Sequence, residues 1–313
     1  MDEQMRILDL LNQKQIKQFE LENMIYGSIE IRDKDNSKYV YVHIKEDGLQ
    51  STKYIGEYSE ELHNLILNNN IKAKEIKKEI RRIEKELKEL NYIDEELTSE
   101  VSINIDFAKK HLADTIYKQA ILEGVATTLS DTQNIIEGGK VNNMSSEDIL
   151  KIVNLKHSWE FILNKNVILT PTNYSILCTI NKLVEEGFYY NAGNLRNVPV
   201  KIGGTSWVPG IPIESDIKDD IKNIIERNKP DVDKAIELLL YVVKKQMFID
   251  GNKRTSVIFA NHYLISKGKG LIVIPTEKIE EYKKLLVNFY ESDDNKPIFK
   301  FLKDKCYLEI NNQ

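Results

Sequence analysis

Near residue 250 one apolar helix has to end and another has to begin within a few residues. The segment Ala235-Ile236-Glu237-Leu238-Leu239-Leu240-Tyr241-Val242-Val243 is apolar on nearly all sides, as a buried central helix is. It runs into Phe248-Ile249-Asp250-Gly251-Asn252, and Lys253-Arg254-Thr255 opens the next helical segment. Gly251 and Asn252 are the residue types that best tolerate positive φ. A tight turn that feeds successive backbone N–H groups into a helix N-terminus makes an anion cradle. Asp250 adds a hard oxygen ligand suited to Mg2+, and Arg254 a bidentate fork for phosphate oxygens. Together these describe a site for a metal-bound nucleoside triphosphate. The bare spacing also fits a plain helix corner with a glycine cap and incidental charges.

The chain before this corner has a different texture. Ser28–Arg32, Lys38–Ile44 and Thr52–Ile55 alternate in the strand manner, with turn residues at Asp33-Lys34-Asp35-Asn36 and Glu46-Asp47-Gly48. This predicts a three-stranded antiparallel meander, covered by one helix before it and one after it, near Ser59–Leu67. His43 reads as an ordinary strand residue. From Ala73 to Leu90, Ala73, Ile76, Ile80, Ile83, Leu87 and Leu90 form a helical seam among Lys and Glu. That seam could serve a homodimer, but fewer than three heptads favour a helix docked on its own domain.

After Asn104 the pattern is helical to the end. One long helix is expected from Phe107 through Ile121. Further helices are expected near 146–163, 171–186, 213–227, 232–248, 253–267, 277–292 and 297–305, with cap signals at Ser145 and at Thr170-Pro171. The expectation is a mainly α chain: residues 1–100 an N-terminal α+β extension with a small antiparallel sheet, residues 101–313 a helical domain.

The net charge of -5 argues against a dedicated nucleic-acid binder. In the strand region Arg32, Lys34, Lys38 and Lys45 alternate with Asp33, Asp35, Glu46 and Asp47, which suits a solvated sheet face. Cys178 and Cys306 have no metal-ligand spacing and make no disulfide framework. The N-terminus Met1-Asp2-Glu3-Gln4 is acidic where a signal peptide would be basic, and no apolar run approaches a membrane span. A cytoplasmic, non-membrane protein is expected.

Phe248-x-Asp250-Gly251-Asn252-x-Arg254 between two helices resembles the signature of the Fic (Fido) family, His-x-Phe-x-Asp/Glu-Gly-Asn-x-Arg. Its ending, Asn252-Lys253-Arg254-Thr255, resembles the form found in the Doc branch. Ala192-Gly193-Asn194-Leu195-Arg196 and the segment Val198–Pro209 are similar to the family's Gly-x-x-Arg stretch and the flap that follows it; Gly203-Gly204 is a hairpin signal in its own right. The likeness covers roughly residues 105–305. It implies a Fic-type helical core with a β-hairpin flap, and transfer of AMP from ATP to a Ser, Thr or Tyr hydroxyl of a target protein. On that resemblance Asp250 would bind Mg2+, and Gly251, Asn252 and Lys253 would form the anion hole. Arg254 would neutralise phosphate charge and Phe248 would anchor the loop. Val200, Ile202, Gly203, Gly204 and Trp207 of the flap would hold the target by edge-strand pairing.

Two positions depart from the family. Gln246 stands where the family has its general-base His; a carboxamide can orient a hydroxyl but not deprotonate it. Val257 stands where many members have a second Arg. No other His substitutes by position: His262 lies two helical turns past the loop and reads as a packed residue, and His157 and His111 fall on other helices. Many family members also carry a self-inhibitory Ser/Thr-x-x-x-Glu-Gly/Asn element. Ile135-Ile136-Glu137-Gly138 resembles its end, with Gln133 at the Ser/Thr position, so Glu137 is the expected inhibitory residue. The chain is thus expected to be either a slow transferase or a catalytically silent nucleotide-binding module with a regulatory or interaction role.

Overall fold

The computed structural model describes residues 3–34, 37–46, 49–92 and 96–310. The chain divides into two compact units, Asp9–Ile93 and Asp94–Gln313 with Met1–Leu8. Met1-Asp2 and the tips of the two expected strand turns (Asp35-Asn36 and Asp47-Gly48) lie outside the described residues, as does the side chain of Lys45.

Helix α1 (Glu3–Glu22), which belongs to the first unit from Asp9 onward, precedes strands β1 (Ser28–Lys34), β2 (Ser37–Glu46) and β3 (Leu49–Glu57), and helix α2 (Glu60–Glu89) follows. The strands pair antiparallel in the order β1-β2-β3, with a register shift at Val40/Tyr41. Period-two alternation places Val40 and Val42 inward on Ile66 of α2, with Ile25, Ile29, Ile44 and Ile55 around them. The helix expected near Ser59–Leu67 and the seam from Ala73 to Leu90 belong to one continuous helix, α2. Ser59 caps it by accepting from Leu62 N at 3.1 Å. Its seam residues Ala73, Ile76, Ile83 and Leu87 are buried, and Lys14 and Lys17 of α1 pair with Glu84 and Glu79 of α2. His43, for which no partner was expected, lies between Thr52 Oγ1 at 2.8 Å and the Glu30 carboxylate at 2.7 Å, contacts that strand register alone creates.

The second unit contains α3 (Ser99–Lys110), α4 (Leu112–Leu122), α5 (Leu129–Ile136), α6 (Ser146–Ile162), α7 (Lys165–Ile168), α8 (Tyr174–Val184), α9 (Glu214–Glu226), α10 (Asp231–Lys245), α11 (Asn252–Ser266), α12 (Ile279–Ser292) and α13 (Lys296–Phe301). A two-residue pair, β4 (Leu271–Ile272) and β5 (Tyr307–Leu308), was not expected. The single long helix expected from Phe107 is instead α3 and α4, divided at His111. The division lets each half answer a different neighbour: Asn104 of α3 bonds Gly270 in both directions, and Gln119 of α4 donates to Arg254 O at 2.9 Å. Ser145 caps α6 as expected, whereas α8 starts at Tyr174 under an Asn173 cap rather than at Pro171. Helices α8 and α11 are deeply packed, α8 with every residue but Lys182 buried and α11 with every residue but Lys253 and Ser266. Polar residues of α11 are paired inside the core: Asn261 with Val257 O and with both backbone groups of Ile272, and His262 with Thr172 and Val167 O. Among the described residues no helix is long and apolar enough to cross a membrane.

Candidate functional site

The corner between α10 and α11 is built by two left-handed residues. Gln246 ends α10 at φ 46°, ψ 60°, and Gly251 sits at φ 74° immediately before α11. Gly251 is required twice, since a Cβ there would stand 2.3 Å from a Glu185 carboxylate oxygen. Asn252 closes the loop with two side-chain bonds, Nδ2 to Phe248 O at 2.9 Å and Oδ1 from Phe248 N at 3.0 Å. Phe248 is buried beneath. The Asn252 side chain is thus a loop clasp, which leaves its backbone amide for the helix start. No side chain caps the first turn of α11, so its leading N–H groups keep the character of an anion site.

Asp250 points outward with its side chain 55% exposed. One of its oxygens accepts from Gly251 N at 2.6 Å. Asn181 of α8, which no spacing in the sequence singled out, braces the loop: it donates to Asp250 O and Thr255 Oγ1 and accepts from Gly193 N. The Arg of the Ala192–Arg196 stretch has a comparable role. Arg196, 1% exposed, donates to Gln246 O at 2.6 Å, Val198 O at 2.8 Å and Gly210 O at 2.6 Å. Its own amide reaches Met247 O. One buried guanidinium therefore joins the loop to both arms of the flap.

Between those arms the expected β-hairpin is not formed. A turn occurs at Gly203-Gly204, but no ladder pairs the arms among the described residues. Only Gly204 has positive φ, 84°. Tight hairpins need positive φ at the first central residue, and turns without it splay the strands. The flap is held by side chains instead. Trp207 stacks on Tyr290 of α12 (centroids 5.4 Å, planes 3° apart), Lys244 lies over the Trp207 ring, and Thr205 donates to Glu291. Val200 and Ile202 are partly buried and Gly203 is exposed.

Gln246 faces the same cluster. Its Nε2 donates to Val243 O at 2.8 Å and reaches the Tyr290 hydroxyl at 3.4 Å. The amide proposed to orient an incoming hydroxyl is thus turned onto α12. His262 is fully buried, and that burial lowers its pKa to about 4. His157 lies beside Glu186 and His111 against Phe107.

Arg254 is 3% exposed and held by acids. Its Nη2 lies 2.7 Å from Glu185, its Nε 3.7 Å from Glu123, and Nη2 is 3.8 Å from Asp250. Lys253 Nζ lies 3.3 Å from Glu123. The geometry is incomplete: Arg254 Nε and Nη1 are buried without a hydrogen-bond partner, and Glu123 Oε1 and Glu185 Oε1 meet Lys253 and Arg254 as ion pairs without aligned hydrogen bonds. Polar atoms left in that condition mark a place where another polar group belongs. Burial pushes Glu185 up to about 7, with Arg254 pulling the other way.

Glu137 stands elsewhere. It ends α5 before Gly138, is exposed, and accepts from Gln133 Nε2 at 2.9 Å. The carboxylate that reaches the loop is Glu123, which ends α4 before Gly124. A second Gln-x-x-x-Glu-Gly, Gln119 to Gly124, was the signal available for it in the sequence.

Residues 171–264 match the Fic/DOC family. Among curated proteins none matches the chain by sequence. Among solved structures, the chain is similar to Fic-1 from C. elegans (TM-score 0.54, 15% identity, covering 77% of this chain and 80% of that one). It is also similar to a Fic domain containing signaling protein from Bacteroides thetaiotaomicron (0.52, 20%, 61% and 75%). A third likeness is to a Fic family protein from Desulfovibrio desulfuricans (0.52, 15%, 67% and 72%). These identities speak for the fold alone. With the family match spanning α8 to α11 and taking in the Asp250–Arg254 corner near its C-terminal end, the chain carries a Fic-type domain.

Proposed function

We propose that the second unit is a Fic-type nucleotidyltransferase domain in a resting state, one that binds Mg2+-ATP at the α10–α11 corner and passes AMP slowly to a hydroxyl of a target protein. The observation that carries this is the corner itself: Gly251 in the left-handed region, an uncapped α11 N-terminus, and an exposed Asp250 beside it. The residues fit the ligand. Asp250 would hold the metal, the amides of Gly251, Asn252 and Lys253 would receive phosphate oxygens, and Arg254 has two unmet donors for the same purpose. The metal would supply charge neutralisation on the phosphates. The flap beyond Arg196 would seat the target.

Two features account for the resting character. Glu123 and Glu185 occupy the cations that phosphate would otherwise take. In this reading the inhibitory role expected of Glu137 passes to Glu123. Gln246 cannot accept a proton, and loss of a general base typically costs a hundred- to ten-thousandfold in rate.

A catalytically silent nucleotide-binding module with a regulatory or interaction role is the second reading, favoured by the Gln246 amide being bonded away to Val243 O and Tyr290. Calorimetry of Mg2+-ATP binding, followed by labelled-ATP transfer in the natural and Glu123→Gly proteins, separates them. Binding with slow labelling supports the first reading and binding without labelling the second. If neither protein binds the nucleotide, both readings are lost.

A further inference from the structure

Three grooves lie in the first unit around Tyr26 and Lys77. One, about 710 Å3, is lined by His43, His63, Leu67 and Asn70 beside them. Another, about 620 Å3, runs between α1, α2 and the sheet over a floor that includes Met24, Ile25, Ile44, Ile55 and Ile80. A third, about 440 Å3, opens beside α2 against Lys74, Lys77, Lys78 and Arg81. Lys77 borders all three, and Arg81 the last two.

The helical period explains the row of charge. Positions 74, 77, 78 and 81 fall on one side of α2, away from the buried seam of Ala73, Ile76, Ile83 and Leu87. Among the described residues none forms an ion pair with Lys74, Lys77, Lys78 or Arg81. Of the nearby acids of α2, Glu79 pairs with Lys17 and Glu84 with Lys14, while Glu75 is exposed beside Lys74 and Lys78 and forms no ion pair among the described residues. Lys53 adds a further cation at the rim, where the acids are Glu22 and the Lys14-paired Glu84. Four cations thus stand within about 10 Å along the helix, outnumbering the one unpaired acid among them, Glu75.

Toward the N-terminus of α2 the band changes character. Leu67 is 44% exposed and Ile71 62% exposed. Residues 60–71 carry no Lys or Arg to continue the charge for a phosphodiester chain, and their one ring, His63, is partly buried beside Leu67. Tyr26 is 8% exposed and covered by the Lys77 ammonium at 4.7 Å from its ring centre. An alternation of acidic and aliphatic side chains matches both halves of the band and the aliphatic floor beside it.

We propose that this basic edge of α2 and its groove dock a segment of a partner protein rich in Asp and Glu and carrying Leu-sized side chains. Cations on a concave, partly apolar surface attract such a segment electrostatically, and the aliphatic floor holds it. The site is independent of nucleotide binding at the α10–α11 corner, so either can fail without the other.

The test is fluorescence anisotropy of the full chain with a labelled peptide alternating Glu and Leu at helical spacing. A single-stranded oligonucleotide and vesicles containing anionic lipid serve as competing probes. The expected result is saturable peptide binding that weakens about tenfold or more in Lys74→Glu/Lys78→Glu/Arg81→Glu, and that also weakens as salt rises. All three residues are exposed, so that variant leaves the core intact, and unchanged circular dichroism checks this. Absence of peptide binding, or binding indifferent to the triple reversal, overturns the proposal. So does tighter binding to the oligonucleotide or the vesicles than to the peptide.

Discussion

Two helix ends in the second unit share one local pattern, Gln-x-Ile-x-Glu-Gly. Gln119-Ala-Ile-Leu-Glu123-Gly124 ends α4 and Gln133-Asn-Ile-Ile-Glu137-Gly138 ends α5. Both glutamates hold the cap position, and both glycines are left-handed, at φ 81° and 78°. Yet the first places a carboxylate against Lys253 and Arg254, while the second ends in solvent. Their glutamines diverge in the same way: Gln119 is buried, donating to Arg254 O and accepting from Trp159 Nε1, whereas Gln133 is exposed and bonds only its own Glu137 among its recorded partners. Caps of the same backbone geometry thus have unrelated reach, because reach is set by what each helix packs against.

The largest expected effect breaks the pair most plainly. Replacing Gln246 by His supplies a proton acceptor at a left-handed position that His tolerates. Combined with Glu123→Gly it should raise AMP transfer, read by labelled ATP, a hundred- to ten-thousandfold. Pairing Gln246→His with Glu137→Gly instead should give no more than Gln246→His alone. Equal gains from the two glycine variants would remove Glu123 from its proposed role.

A smaller difference is expected in binding. Glu123→Gln frees Lys253 and loosens Arg254, so Mg2+-ATP affinity by calorimetry should rise about tenfold. Glu137→Gln should leave it within about twofold, as an exposed residue away from the loop cations should.

Stability against pH sharpens the contrast between buried and exposed acids at these helix ends. Burial raises Glu185 to about 7, above its value in the unfolded chain, so the folded state binds the proton more tightly. Its contribution is fully present below pH about 4.5 and is lost as pH rises through about 7. Urea midpoints between those values should fall with rising pH in the natural protein, and the slope should flatten in Glu185→Gln. Glu137→Gln should keep the natural slope; a natural protein without that slope contradicts the assignment.

The smallest effect is also the one on which the two ends should agree. Gly124→Ala and Gly138→Ala meet no atom within 4 Å, so only the backbone strain remains. Each should cost about 1–2 kcal/mol by thermal or chemical denaturation. A gap between them of more than about 1 kcal/mol would show that the caps are not locally equivalent.

Much of the site was readable from residue types. Gly251 had to turn and Asp250 had to face outward, and both do. Ser145, the three strands and most helix boundaries follow from caps and periodicity, which act within a few residues. The clasp made by Asn252 was less legible. Its type suggested positive φ, but the residue is helical and its side chain closes the loop. The flap shows the limit of local rules: Gly203-Gly204 makes a turn, yet the arms follow Arg196 and Tyr290 rather than each other.

By itself the sequence determined where the chain could reverse, which segments alternate at two or at three to four residues, and the chemistry available at the Asp250–Arg254 corner. Those are properties of φ/ψ preference and side-chain type, and they are settled within a turn of helix or a strand. Only the tertiary structure decided that Glu123 rather than Glu137 meets Arg254, that Glu185 is buried beside it, and that His43 finds Glu30 and Thr52. Each of these contacts joins residues separated along the chain. Their existence depends on how helices and strands pack, which no local pattern encodes.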